Sequence, residues 1–487
     1  DPVLDHHNVL GARGPFYVEA EVARMAIAIS GAKVNVVGLG ATGLSLVRFL
    51  SANGAQVSAF DGNANASGLD VLKRDFPRVK FAQHDLARET LPACDWVALS
   101  PGVPRSLLAL KSVEKSGRKV VGDIELFAQL NLGKRPVIGI TGSNGKTTTS
   151  QLTGALLTNA NMRVAVAGNV GLPALDALTE SDADVFVLEL SSFQLESTES
   201  LVCASATVLN LTENHLDRYS SFFDYAASKA KIYANCERQV INRDDPWSSS
   251  MRRLHGESVS FGMNPPKTEY EFGLSLQGGE QYFARGKQKF ASCSGMRLRG
   301  AHNTANVLAA IALATPFIRD SSAVERTVSS FEGIEHRYQW LGTVGGVEVI
   351  NDSKATTVVA SAAALRGTAS PVWLIAGGDG KGQQFGALAA AAATRCKAVH
   401  LIGKDAPQIA AELASRGVKH QQFSCLEDAV YAALERAESG DVLLLSPACA
   451  SWDMFKNYEA RAEAFARAVN TWAEAHGRTL VKEPGHA

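Results

Sequence analysis

Short apolar runs alternate with glycine-broken turns and helix-like stretches along most of this chain, a rhythm that predicts parallel α/β sheets. Val34–Leu50, V-N-V-V-G-L-G-A-T-G-L-S-L-V-R-F-L, reads as a strand, a turn and a helix; a second strand, Q-V-S-A-F, ends at Asp61. Asp95–Gly102, D-W-V-A-L-S-P-G, is a strand running into a Ser-Pro-Gly turn, followed by a helix and V-V-G-D-I-E-L-F. Val137, Ile138 and Ile140 form a β-branched run that predicts a buried strand, and S-Q-L-T-G-A-L-L after it predicts a helix. Arg163–Pro173, Asp184–Glu196 and Ala206–Tyr219 repeat the strand-then-turn pattern, and F-F-D-Y-A-A-S-K-A-K-I-Y-A-N reads as a helix. From Val240 to about Gly300 the texture changes to short, polar strands punctuated by Gly and Pro, which predicts a small β insertion. Arg299–Ala314 is again helical.

The turns carry the candidate chemistry. In Pro136–Thr149, P-V-I-G-I-T-G-S-N-G-K-T-T-T, glycines open the backbone between a strand and a helix start. N–H groups and the helix dipole there make a phosphate cradle, with a lysine to reach the β- and γ-phosphates and a hydroxyl for Mg²⁺. The generic G-x-x-x-x-G-K-[ST] is imperfectly matched, because Ile140 stands where its first glycine belongs. The tighter T-G-x-x-G-K-T-T is read as an ATP site. Gly38, Gly40 and Gly43 spell G-x-G-x-x-G, and Asp61 follows 18 residues after the last of them. Taken alone this is a dinucleotide fingerprint and suggests a dehydrogenase. Such a turn serves many doubly wound sheets, so Asp61, Ser100 and the Ala41-Thr42 turn mark a site for some phosphorylated ligand without deciding which.

Glu189 ends a buried strand, where a carboxylate is costly unless paired or bound to metal. It is a candidate Mg²⁺ ligand, or else a cap for the next helix. Glu213, His215 and Asp217 cluster in the turn after a third strand. Lys229 and Lys231 fall on different helix faces, and by itself either reads as a solvated surface charge. Asn303 and Asn306, at i and i+3, share a face and could meet an adenine edge; equally, Asn303 could be an N-cap.

Composition narrows the class. The chain has 487 residues, which suggests about three domains, with 46% hydrophobic and 20% charged residues. A net charge of −1 creates no field favouring nucleic acid or an anionic membrane. Seven cysteines without C-x-x-C pairs argue for reduced thiols in the cytoplasm and against a disulfide framework or zinc site. No apolar run approaches the ~20 residues of a membrane span. The opening stretch lacks a basic region followed by an apolar one, so no secretory signal is expected. Residues 1–30 are expected to be an extension.

Taken together, the motifs resemble those of the Mur ligases of peptidoglycan precursor synthesis, and within them the D-glutamate-adding branch. The resemblance rests on I-T-G-S-N-G-K-T-T, A-G-N-V-G-L-P-A-L, V-L-E-L-S-S-F-Q-L-E, L-N-L-T-E-N-H-L-D-R-Y, G-A-H-N-T-A-N, H-R-Y-Q-W, I-N-D-S-K-A-T, G-G-D-G-K-G and L-L-S-P-A-C-A-S-W-D-M-F-K-N-Y, in the family's order over roughly residues 33–470. No D-N-P-R motif, which marks the diaminopimelate- or lysine-adding branch, occurs in the chain. The resemblance implies an α/β protein of three domains. These are a Rossmann-like UDP-substrate domain at 31–133, a P-loop ATPase-like central domain with the β insertion at 134–333, and a Rossmann-like amino-acid-binding domain at 334–487.

It also implies residue roles. ATP would be held by Gly142, Ser143, Asn144, Gly145, Lys146, Thr147, Thr148 and Asn303, with Asn306 near adenine and Arg337 and Asp352 near phosphates and ribose. UDP-N-acetylmuramoyl-L-alanine would meet Ala41, Thr42, Asp61, Gly62, Ser100, Pro101, Gly102, Asn169, Gln194 and His215, which settles the glycine turn on a UDP-sugar rather than NAD. D-Glutamate would meet Lys354, Thr356, Lys381, Ser451 and Tyr458; lysines among hydroxyls suit a dicarboxylate. Thr147, Glu189, His215 and Lys229 would serve two Mg²⁺ sites, Lys229 as a CO₂-derived carbamate, and Lys146, His215 and Lys229 would be catalytic. A monomer is expected. Asn214 stands where the family usually has aspartate, and Thr357 where it usually has asparagine. The rivals are a folylpolyglutamate synthase, which lacks a UDP-binding first domain, a nucleotide-dependent switch without ligase activity, and the dehydrogenase.

Overall fold

A computed structural model describes residues 27–213 and 218–482. Two units can be distinguished: one runs to Ser260 and includes Ala312–Arg319, and the other comprises Phe261–Ile311 and the chain from Asp320 on.

The first unit contains two large sets of parallel strands. In one, the strands Lys80–Gln83, Gln56–Asp61, Lys33–Val37, Trp96–Leu99 and Val120–Gly122 lie in that order, every pair parallel. Chain order reverses between Lys33–Val37 and Trp96–Leu99. A crevice opens at the carboxyl ends of such a switch point, which is where the Gly38–Gly43 turn and the Ser100–Gly102 turn emerge. In the second sheet Val164–Gly168, Val185–Glu189, Val137–Thr141, Ser205–Val208 and Arg238–Asn242 are successive parallel neighbours. Val137–Thr141 and Val185–Glu189 are buried at every position. Continuous apolar runs rather than alternation are what a parallel strand covered on both faces requires.

The second unit begins with an antiparallel meander, Glu271–Gln277, Glu280–Arg285 and Gln288–Ser292. Gly278 and Gly279, both at positive φ (60° and 85°), close its first hairpin, the geometry a two-residue primed turn needs. Beyond it a six-stranded sheet runs Gln339–Val344, Val347–Asn351, Val442–Leu445, Val372–Gly377, Cys396–Ile402, His420–Gln422. The first pair is antiparallel and the others parallel. Phe385 and Leu388 pack on one of its cores, Phe465 and Trp472 on the other. The α/β architecture is the one the apolar rhythm predicts, and the polar stretch after Val240 does form short strands.

Candidate functional site

The phosphate loop follows Val137–Thr141, the strand between Val185–Glu189 and Ser205–Val208. Gly142 and Gly145 adopt φ of 149° and 82°, and a Cβ on Gly142 would lie 3.0 Å from that of Leu209. Asn210 pins the loop: its backbone carbonyl accepts from Ser143 N (2.9 Å), its side-chain oxygen accepts from Asn144 N (2.9 Å), and its amide donates to Asn144 O (3.1 Å). The helix Lys146–Asn159 has no side-chain cap and no acidic residue in its first turn, so its positive end is left for an anion. Lys146 Nζ curls over the loop, donating to Gly142 O (2.9 Å) and Ser143 O (3.1 Å). Thr147 is buried, and Thr148 is partly exposed.

Two further groups gather at the same sheet edge. Glu189, buried at its strand end, accepts from the amide of Asn169 at 3.0 Å. Lys229 is 2% exposed, and its ammonium donates to Thr141 Oγ1 (3.2 Å) and Gly142 O (3.0 Å). Burial, and then the like charge of Lys146, hold its pKa well below the usual lysine range, against the opposing pull of Glu189. The expectation of a solvated Lys229 is therefore wrong. Helix Phe222–Ala230 turns Tyr225, Ala226, Ser228 and Lys229 inward, and the i, i+4 spacing of Tyr225 and Lys229 was the available signal. Lys231, on another face, donates to Glu196 O at 2.7 Å. Asn214, His215 and Asp217 lie outside the described residues.

The first-domain turn is built by close approach. A Cβ on Gly38 would come within 2.8 Å of Ser100 Cβ and Val103 Cγ2, and one on Gly43 within 1.9 Å of Gly38 O. Asp61 accepts from Leu39 N (2.7 Å) and Asn63 N (2.8 Å), so it braces the turn itself. Ala41 and Thr42 open the helix Ala41–Ala52; Gly62 and Gly102 are exposed and Pro101 partly so. Gln194, in contrast, is 2% exposed. Its oxygen accepts from Ser191 N (3.0 Å), and its amide donates to Asp123 Oδ2 (2.9 Å). Both ends of that amide are thus engaged within the protein.

The second unit assembles its own set. Asp352 accepts from Tyr338 N (3.0 Å) and Ser446 Oγ (2.8 Å), and burial pushes its carboxyl up to about 7, with Arg337 among the opposing influences. Lys354 Nζ lies 3.7 Å over the Tyr458 ring and Lys381 Nζ 4.0 Å over Trp452, with Lys381 at φ 50°. Ser451 is buried, and Thr356 N donates to Lys354 O at 2.8 Å. Asn303 is not an N-cap: the helix starts at Ala301, and the Asn303 amide donates to Arg299 O (2.8 Å) while accepting from Asn306 (3.1 Å). Thr357 instead caps the helix Val358–Gly367, accepting from Ala360 N at 3.3 Å.

Sequence reasoning missed Arg461. It is 0% exposed and donates to Ser353 Oγ (3.0 Å), Ser353 O (2.8 Å) and Cys449 O (3.1 Å). One guanidinium thereby ties the D-S-K-A-T loop to the S-P-A-C-A-S-W-D loop. Only its helical register, one turn after Asn457, hinted at an inward position.

A glycine-opened loop at a helix N-terminus, beside a buried carboxylate and a desolvated lysine, has the make-up of a nucleotide-phosphate site, and the comparisons carry this to a family of ligases. The Mur ligase MurD-like N-terminal domain matches residues 32–122, the Mur ligase middle domain 140–314, and the Mur ligase glutamate ligase domain 336–449. The UDP-N-acetylmuramoylalanine–D-glutamate ligase of Methylobacillus flagellatus is 44% identical over 90% of this chain and 96% of its own length. That of Thiobacillus denitrificans is 43% identical over 92% and 98%. The chain belongs to the Mur ligase family. In fold it is similar to UDP-N-acetylmuramate-alanine ligase MurC from Thermotoga maritima (TM-score 0.56, 18% identity, 90% of this chain and 99% of that one). A pseudomurein peptide ligase type C from Methanothermus fervidus is comparable (TM-score 0.54, 17% identity, 90% and 100%). Among the described residues no helix is long and apolar enough to cross a membrane.

Proposed function

We propose that this chain is an ATP-dependent acid–D-amino-acid ligase that adds D-glutamate to UDP-N-acetylmuramoyl-L-alanine in cytoplasmic peptidoglycan synthesis. Its domains are assigned at 31–133, 134–333 and 334–487, and it would act as a monomer without nucleic acid or membrane. The observation that carries the reading is the convergence of Lys146, Glu189 and Lys229 at the carboxyl edge of one parallel sheet. The likeness to D-glutamate ligases over nine-tenths of the chain supports the substrates.

The reaction is a phosphoryl transfer followed by an acyl transfer. The L-alanyl carboxylate attacks the γ-phosphorus of ATP and ADP leaves, giving an acyl phosphate. The amine of D-glutamate attacks that carbonyl, and the tetrahedral adduct expels phosphate as the amide forms. The first step brings anions together, so positioning and charge neutralisation carry most of the catalysis. Gly142–Thr148 would cradle the ATP phosphates with their N–H groups, and Lys146 would swing from the loop carbonyls to the γ-phosphate.

The donor set fits a hard divalent cation: Glu189 is a buried carboxylate whose side chain, among the described residues, has one amide partner, and Thr147 supplies a hydroxyl. These two, with His215 and Lys229, would hold Mg²⁺, which would offset charge on the phosphates. Burial shifts Lys229 toward the neutral amine, the form that would add CO₂, a nitrogen–carbon bond forming as a proton leaves. Asn303, Asn306, Arg337 and Asp352 would receive the nucleotide. Asp61, Ser100 and the neighbouring turns would take the UDP-sugar, with Asn169 and Gln194 toward its muramoyl end. Lys354, Thr356, Lys381, Ser451 and Tyr458 would take D-glutamate.

The test is phosphate release with ATP and Mg²⁺, adding UDP-N-acetylmuramoyl-L-alanine and then D- or L-glutamate. Release that requires both the nucleotide substrate and D-glutamate is expected. Release indifferent to either would leave an ATPase and overturn the reading.

A further inference from the structure

The Ser100–Val103 turn, placed above beside the glycine loop, is not free-standing. Arg218 Nη1 donates to Pro101 O (3.1 Å) and Gly102 O (3.3 Å), and Nη2 to Val103 O (3.5 Å). Three successive carbonyls thus converge on one guanidinium; with the carboxylate of Glu196 they make four acceptors, within reach of a guanidinium's five N–H donors and beyond an ammonium's three. The same guanidinium is also held from the helix that follows the Glu189 strand. Nη2 pairs with Glu196 at 3.2 Å, and the guanidinium carbon lies 3.9 Å over the ring of Phe193. Phe193 and Glu196 both belong to the short helix Ser192–Glu196, which starts three residues after Glu189. The Arg218 side chain is 11% exposed, so these contacts are largely desolvated and worth more than a surface pair.

The turn that Arg218 grips is itself locked to the glycine loop. Ser100 N donates to Val37 O at 2.9 Å, and Val103 N to Ser100 O at 3.1 Å. The Ser100 and Val103 side chains leave no room for a Cβ on Gly38. Contacts therefore run unbroken from Gly38, through the turn and Arg218, to the helix that follows Glu189.

We propose that Arg218 is a positioning residue, a clamp that sets the UDP-substrate turn at a fixed place relative to the Glu189 strand end. It would thereby align the L-alanyl carboxylate with the γ-phosphate. This rests on the ligase reading, because it presumes that the first-domain turn holds the nucleotide substrate. Arg218 touches carbonyls and a neighbouring ring, and its role is exerted through them. A misplacement of about 1 Å in such an arrangement costs roughly 100-fold in rate.

Steady-state kinetics of the full chain carrying Arg218→Met tests the clamp. The expected result is a KM for UDP-N-acetylmuramoyl-L-alanine raised about tenfold or more and a kcat lowered by up to about 100-fold, with the KM for ATP within about twofold. Arg218→Lys, which keeps the charge but loses the fork, should recover only part of the loss. An unchanged nucleotide-substrate KM in Arg218→Met, or an equal rise in both KM values, would overturn the clamp. If Arg218→Met does not fold, Glu196→Gln decides: a rise of about threefold in the same single KM supports the clamp, and no change refutes it. A wild-type chain that ignores UDP-N-acetylmuramoyl-L-alanine would sink the ligase reading instead, so the two failures are distinguishable.

Discussion

Lys229 and Arg461 are both buried basic side chains, and they are buried for opposite ends. Lys229, in the first unit, meets one hydroxyl and one carbonyl, and burial with Lys146 nearby favours its neutral amine. Arg461, in the second, is fully enclosed, and burial lowers its pKa only to about 10, so it stays charged at neutral pH and spends its donors on two loops. An ammonium shifts its pKa readily when desolvated, whereas a guanidinium remains a cation and a scaffold. A buried lysine is therefore a candidate for chemistry, and a buried arginine for architecture.

Replacing each cation with methionine tests the distinction. Lys229→Met should lower turnover by at least about 100-fold, while its thermal unfolding temperature holds or rises. The sign follows from its depressed pKa. The folded state binds fewer protons than the unfolded chain, so the cost is full at low pH and disappears above the unfolded value of 10.5. A large loss of stability in Lys229→Met would make it a structural residue and dissolve the contrast. Arg461→Met should behave in reverse. Two carbonyls and a hydroxyl lose their donor, at about 3 kcal/mol of stability by denaturant unfolding, and the KM for D-glutamate should rise as the two loops loosen.

Asp352 extends the comparison to a buried acid. Burial raises its carboxyl to about 7 from 3.8, so the folded state holds a proton the unfolded chain has released, and this group's contribution is lost as pH rises from about 4 to about 7. Asp352→Asn should flatten the stability profile in that window; an unchanged slope would place the titration elsewhere. The smallest effect belongs to Thr357→Asn. Threonine and asparagine both accept from a helix N-terminus, so stability should move by no more than about 0.5 kcal/mol. A change in the KM for D-glutamate without a change in stability would show that this position reads the amino acid as well as capping the helix.

Local pattern alone carried much of this protein. The β-branched run ahead of Gly142, the glycines at 38, 40, 43, 142 and 145, and the polar stretch after Val240 each encode short-range geometry. A strand, a turn requiring positive φ and a helix start depend on neighbours in the chain. Family resemblance added expected roles for residues whose chemistry is not local, such as Lys354 and Tyr458.

What the tertiary structure decided is which polar groups lose their water. Lys229 reads as a surface charge until helix Phe222–Ala230 is packed against the sheet, and Arg461 is silent until two distant loops close around it. Arg218 likewise gains its three carbonyls from a turn more than a hundred residues away. The apolar rhythm determines where strands and helices form because it is a property of the chain. Burial, pKa and bridging contacts belong to the packing of elements remote in sequence, and only the folded chain brings them together.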